Sequence, residues 1–291
     1  MRSAPGGLVL VVLLAMLGCV GSEDGDTAAD ACAADEETTA HTVGWATDPA
    51  EASAGEESIF TAKIRDQRGC PIEDLQRAHE RMLHTLFISQ DLASFQHLHQ
   101  EDSAELTATD LRDSTFHFPV TLPTAGEYRL VFDYAHENQY LASDDWMTVG
   151  GAPAQAAAPV LDYTTERAVG GLVVSLRWDV EPAAGYESAW NVTIRTESGE
   201  DVTDLVQWLG ADAHAAVASA DLGFVSHTHA WFPGMEDLAP SHEMPVFYTG
   251  PDLPFHYTFP TAGAHKMWIQ FARADAPDAP YVADFAFDVA P

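Results

Sequence analysis

Residues 84–99, HTLFISQDLASFQHLH, and residues 214–229, HAAVASADLGFVSHTH, decide how the rest of the chain is read. Each stretch runs from a histidine through small, branched or aromatic residues to an Asp-Leu pair, then to a second run ending in His-x-His. Two short strand-like runs flanking a turn read as a β-hairpin. A shift of 130 residues lays one stretch on the other, and only six of the sixteen positions are identical. Three of those six are histidines: His84 on His214, His97 on His227 and His99 on His229. The surroundings have drifted while the imidazoles have stayed.

The correspondence extends outward from the hairpins. Under the same shift Gly69–Leu75 falls on Gly199–Leu205, and Ile64-Arg65 on Ile194-Arg195. The second copy then gains seven residues, after which Pro123-Thr124-Ala125-Gly126 recurs as Pro260-Thr261-Ala262-Gly263. The chain is therefore an internal duplication, with domains at 41–149 and 160–291 joined by a Gly-, Ala- and Pro-rich linker at 150–159. Strand-like runs in the first copy are 41–47, 58–66, 83–89, 95–99, 115–122, 127–134 and 140–149; the second copy repeats the series. About seven short strands per domain predict an all-β chain of two tandem antiparallel β-sandwiches, immunoglobulin- or cupredoxin-like. Ile72–Arg81 reads as a turn or two of helix within a connection.

Hairpin geometry gathers each set of histidines. With the turn centred near Asp91-Leu92, facing residues have numbers summing to about 183, which sets His84 opposite His99 and Leu86 opposite His97. Paired side chains share a face, with Cβ atoms about 4.5–5.5 Å apart, and His97 and His99 share one because strand side chains alternate. Three converging imidazoles suit a borderline divalent ion, so His84, His97, His99 and His214, His227, His229 are candidate ligands for copper or zinc. His117 and His256, on corresponding strands but displaced by two residues, are candidate fourth ligands. The loop 230–253 of the second copy carries Met235, His242 and Met244, whose thioethers with imidazole favour copper, including Cu(I), unless they simply cover the sandwich edge. No cysteine stands beside a histidine pair as blue copper requires. A pH-sensitive structural cluster is the competing reading of the six histidines.

The N-terminus reads as an export signal over residues 1–18, with Arg2 ahead of the apolar run Leu8–Leu17. Ten residues make only about 15 Å of helix, too short to span a bilayer core. Met16-Leu17-Gly18-Cys19 resembles the lipobox of bacterial lipoproteins, which makes Cys19 the expected lipidation site. Residues 19–40 are acidic and poor in large apolar side chains, and read as a disordered tether. These features place the protein outside the cytoplasm, lipid-anchored in a bacterial envelope, where Cys32 and Cys70 are free to pair with each other, stay reduced, or bond another chain. The formal charge of −32, from 45 acids against 13 bases, argues against nucleic acid and points to cations as partners, with the membrane reached only through the lipid.

These motifs together resemble a largely uncharacterised family of bacterial exported proteins with paired β-domains. Its members carry a histidine-initiated strand, an Asp-Leu turn, an HxH strand and an aromatic-Pro-x-x-Gly hairpin. Here those are Met82-Leu83-His84, Asp91-Leu92, His97-Leu98-His99 and Phe118–Gly126, then His214, Asp221-Leu222, His227-Thr228-His229 and Phe255–Gly263. The family commonly places proline after HxH, where this chain has Gln100 and Ala230, and Ala215–Ala218 dilute its leucine-rich strand. The resemblance implies heavy-metal or copper handling.

The leading expectation is an exported lipoprotein that binds copper or zinc through one histidine cluster per domain, for sequestration or delivery at the envelope. One alternative is a metal-free adhesion or binding module presenting Trp231, Phe232, Phe247 and Tyr248. Lower still stands a His₃ metalloenzyme; no P-loop, GxSxG or HExxH is present, so the expectation is a non-enzyme.

Overall fold

The computed structural model describes Cys32 and residues 40–152, 158–235 and 245–291. The expected signal 1–18, Cys19 and most of the expected tether lie outside the described residues, as do His242 and Met244. No helix among the described residues is long and apolar enough to cross a membrane.

In the first domain the strands are β1 (His41–Asp48), β2 (Glu57–Asp66), β3 (Leu83–Ser89), β4 (Phe95–Leu98), β5 (Thr115–Thr121), β6 (Gly126–His136) and β7 (Gln139–Val149). They form two antiparallel sheets ordered β1-β2-β5 and β4-β3-β6-β7. Strand β2 alternates exposed or half-buried with buried residues, so Phe60, Ala62 and Ile64 point inward. They meet Phe87, Phe118 and Phe132 between the sheets, with Phe60 and Phe87 edge-to-face at 5.1 Å.

The second domain repeats this plan with β8 (Glu166–Val169), β9 (Leu172–Val180), β10 (Glu187–Thr196), β11 (Leu205–Val206), β12 (His214–Ser219), β13 (Val225–His229), β14 (Asp252–Thr258), β15 (Gly263–Arg273) and β16 (Ala276–Val289). Its sheets run β14-β10-β9-β8 and β11-β15-β12-β13, with β16 on the other edge of β15. The core is built on Trp190, Phe255, Phe259, Phe271 and Phe285. The all-β tandem architecture read from the sequence is the one observed.

Ile72–Arg81 is not helical. It is an extended connection bridging β6 at Gln76–Ala135, followed by a tight turn closed by a bridge between Ala78 and Arg81. His79 and Glu80, at φ 48° and 65°, occupy the left-handed region that such a turn demands. Helix appears instead at α1 (Ala108–Arg112), where Thr107 and Asp110 form a capping box. Cys70 is buried, and both it and Cys32 are disulfide-bonded.

Strand β3 is buried at every position, which one sandwich cannot achieve alone. Leu83 and Phe87 face the first domain's own core, while Leu86 and Ile88 face the second domain. There they join Leu92 and Val131 against Ala216, Ala218, Leu222 and Trp268. The two quartets are equivalent under the repeat shifts of 130 and 137, so the same patch of each domain packs on the other, as in a two-fold interface. The alanines of β12 are small because Leu86, Ile88 and the Trp268 ring fill the space. At the rim, buried Lys266 donates to the Leu92 carbonyl at 2.7 Å.

Candidate metal centre

The hairpin register follows the sum of 183: Leu86 faces His97, and in the second copy His214 faces His229 and Ala216 faces His227. Alternation along β3 and β12 puts His84 and His214 on the faces that carry Leu86 and Ala216, the faces covered by the opposite domain. The six histidines therefore form one cluster between the domains, with His97 and His227 rings only 4.8 Å apart and His84 and His227 5.6 Å apart.

In the first triplet His84 Nδ1, His97 Nε2 and His99 Nε2 lie 2.9–3.0 Å from one another. The outer nitrogens all meet oxygen: His84 Nε2 the Ala78 carbonyl at 2.9 Å, His99 Nδ1 the Asp102 carboxylate at 2.7 Å, and His97 Nδ1 the Gln270 side-chain oxygen at 3.0 Å. A carbonyl and a carboxylate only accept, so the single proton of each neutral imidazole sits on the outer nitrogen of His84 and His99. Their inner nitrogens then present lone pairs. Gln270 as oriented does the same for His97; turned over, it would let one His97 proton serve the centre instead. Orientation of imidazoles by outer acceptors is the usual support for metal ligands. A tetrahedral zinc with bonds of about 2.0–2.1 Å needs nitrogens about 3.3 Å apart, a few tenths of an ångström wider than here.

The second triplet copies this plan. His214 Nε2 donates to the Trp208 carbonyl at 2.8 Å, six residues upstream, as His84 does to Ala78, and His214 Nδ1 lies 3.1 Å from His227 Nε2. Asp133 stands where the repeat places Gln270, with a carboxylate oxygen 3.6 Å from His227 Nδ1. A carboxylate cannot turn into a donor, so it favours the proton on that outer nitrogen. His229 Nε2 is shut off from solvent and has no hydrogen-bond partner. One ligand atom each from His214, His227 and His229 fall within 4.8 Å of one another, as do those of His84, His97 and His227.

Burial dominates the protonation of this cluster. It holds His84, His97, His214 and His229 well below 6.5, and neighbouring imidazoles push the same way. His99 is also lowered by burial, against the opposing pull of Asp102. Burial works to raise the Asp102 carboxyl, but hydrogen bonds from His99 and Arg81 outweigh it and hold the group below 3.8.

Two further candidates fall elsewhere. His117 is exposed on β5, bonded to Thr61 at 2.9 Å, and His256 on β14 stacks on Trp231 with ring centres 4.4 Å apart. Both strands belong to the sheet of each sandwich remote from the partner domain, so neither ring joins the cluster. Of the aromatics considered for an adhesive surface, Phe232 is buried and stacked on Phe247 at 4.3 Å. Sequence reading missed His79, which sits on the turn before β3. Its ring lies 3.7 Å from His229, its Nε2 is 2.9 Å from the Tyr140 hydroxyl, and burial drives its pKa down to about 3. The repeat places Leu209 at this position, so internal comparison passes over it.

A cavity of about 340 Å³ opens beside the second triplet, bordered by Ala78, His79, His227, His229, Tyr140 and Met235. His84 of the first triplet also borders it, whereas His97 and His99 do not. Trp208, equivalent to Ala78, sets its indole edge-on to His97 at 5.7 Å and close to His99.

The chain belongs to a family defined by a domain of unknown function, DUF8832, whose model matches residues 37–151 and again 167–290. No curated protein matches it. Similar solved structures include the adhesin FdeC of Escherichia coli, at 14% identity over 87% of this chain and 66% of that one, with a TM-score of 0.24. Another is a putative membrane-anchored protein of Corynebacterium diphtheriae, at 12% identity over 86% and 59%, with a TM-score of 0.25. The chain thus spans about two thirds or less of each.

Proposed function

We propose that this two-domain family member binds transition-metal ions, copper or zinc, between its sandwiches, and that it sequesters or hands on the ion. The proposed site of action is the bacterial envelope, to which an export signal and a lipid on Cys19 would bring it. The observation that carries the reading is the convergence of six largely buried imidazoles, with the outer nitrogens of His84, His97, His99 and His214 turned to acceptors. Lone pairs so placed repel one another unless a cation sits among them. Elemental analysis and a Zn²⁺ and Cu²⁺ titration of the purified chain test it. Tight binding that is lost when His84 and His214 are both replaced by alanine is the expected result; an unaltered isotherm would refute the reading.

A second reading, a hydrolytic centre with metal-bound water, draws on the cavity beside the second triplet. Asp133 is the sole carboxylate among the described lining residues, and it faces His227 as an orienting group. Hydrolysis of an activated ester by the Zn²⁺-loaded chain, abolished by His229→Ala, would favour this reading over storage.

A further inference from the structure

We infer that the two triplets hold two ions with unequal duties, the first a resident Zn²⁺-class ion and the second an exchangeable soft ion such as Cu(I), admitted through the cavity. The inference rests on the metal reading above and deepens it.

The inequality comes from places where the repeat is broken, each beside a triplet. At the first triplet, Trp208 covers His97 and His99 while also meeting His214 edge-on at 5.2 Å, and Asp102 fixes the outer nitrogen of His99. The position equivalent to Trp208 is Ala78, whose small side chain leaves the cavity open against His227 and His229, with His84 the one member of the first triplet that reaches it. The position equivalent to Asp102 is Phe232, which turns away to stack on Phe247. His229 is left with a buried Nε2 that bonds to nothing. His79 replaces the apolar Leu209, and its Nδ1 is also buried without a partner. His79 and His229, each with one unpartnered buried imidazole nitrogen, border one cavity; burial without a partner is costly and a ligand would relieve it.

The chemistry of the lining selects the ion. Met235 brings a thioether to the same cavity, and imidazole with thioether suits a soft d¹⁰ ion better than a hard one. No sulfur borders the first triplet among the partners described above, and its carboxylate-supported imidazoles suit Zn²⁺. Tyr140, 54% exposed and hydrogen-bonded to His79, stands at the mouth of the cavity.

Metal release from the full chain separates the duties. The chain is loaded with two equivalents of Zn²⁺ and mixed with a chromophoric chelator, 4-(2-pyridylazo)resorcinol. Release in two equal phases is expected, with rates at least about tenfold apart, a barrier difference of about 1.4 kcal/mol. Trp208→Ala should quicken the slow phase, because it uncaps the first triplet while keeping the backbone carbonyl that His214 needs. Ala78→Leu should slow the fast phase. In a second arm Cu(I) is supplied anaerobically as its acetonitrile complex against bathocuproine disulfonate. Met235→Leu should weaken Cu(I) retention about tenfold, with Zn²⁺ affinity unchanged. A single release phase, one ion shared by both triplets, or phases insensitive to both Trp208→Ala and Ala78→Leu would overturn the inference and leave metal binding standing. Unchanged Cu(I) retention in Met235→Leu would overturn the soft-ion assignment. Absence of any bound ion would remove the underlying reading instead. Near-ultraviolet circular dichroism confirms that each variant is folded.

Discussion

Acidifying the metal-free chain probes the buried imidazoles directly, and the size of the effect follows from their number. His84, His97, His214 and His229 are held well below 6.5, and His79 is pushed down to about 3. Below pH 6.5 a solvated histidine takes up a proton that these five refuse, so any state exposing them gains protons relative to the native one. Stability from this source is complete above about pH 6.5 and falls as pH falls, by up to about 1.4 kcal/mol per pH unit for each group. His79, at about 3, by itself accounts for about 2 kcal/mol at pH 5, and the four other rings add to the loss in the same direction, against the 5–15 kcal/mol that holds a typical domain folded. These rings lie between the domains, so separating the domains hydrates them without opening either sandwich. The expected transition, between about pH 5 and 6, is therefore an increase in radius of gyration with far-ultraviolet dichroism retained. Fluorescence of Trp208 and Trp268, both at the interface, should shift with it. An ion that binds only the closed form, at a hundredfold excess over Kd, adds about 2.7 kcal/mol. Because stability falls with falling pH, that added stability moves the midpoint to lower pH. A chelated sample whose scattering and tryptophan signals stay flat to pH 4.5 would refute the reasoning.

Three further outcomes follow from particular contacts. Leu86→Ala should cost about 2–5 kcal/mol in urea unfolding and Ala216→Leu about 1–3 kcal/mol by overpacking. The two together should recover part of the loss, because they exchange large and small across equivalent positions; additive losses would count against the two-fold packing. Asp102→Asn should weaken Zn²⁺ binding about 10- to 100-fold, since the amide no longer compels a proton onto His99 Nδ1. Gln270→Glu should act oppositely, strengthening binding by compelling one onto His97 Nδ1, and an unchanged isotherm would undo that tautomer argument. His117→Ala with His256→Ala should leave metal stoichiometry and affinity within error, because both rings lie on the remote sheets; a lost ion would contradict this placement.

The hairpin register was legible because two independent periodicities agree: alternation along each strand and the turn position that makes 84 face 99. The interface was not. The unbroken apolar run from Leu83 to Ile88 signals a strand buried on both faces, but a sequence carries no record of what covers the second face. Here the cover is the other copy of the same patch, and that merges two local triplets into one cluster. His117 and His256 show a matching limit, since alternation fixes which face of its strand a residue takes but not which of two sheets the strand joins. Comparing the copies also has a built-in bias. Identity between repeats picks out what both domains must share, which found six histidines, and it discards what one domain has alone. The discarded positions, Ala78 against Trp208, His79 against Leu209, Asp102 against Phe232 and Asp133 against Gln270, all lie against the histidines or on the turns beside them. A duplicated scaffold makes two equal sites by default, so only residues that depart from the repeat can make those sites differ. For this chain the conserved half of the comparison therefore identifies candidate ligands, and the divergent half identifies the surroundings in which the two triplets differ.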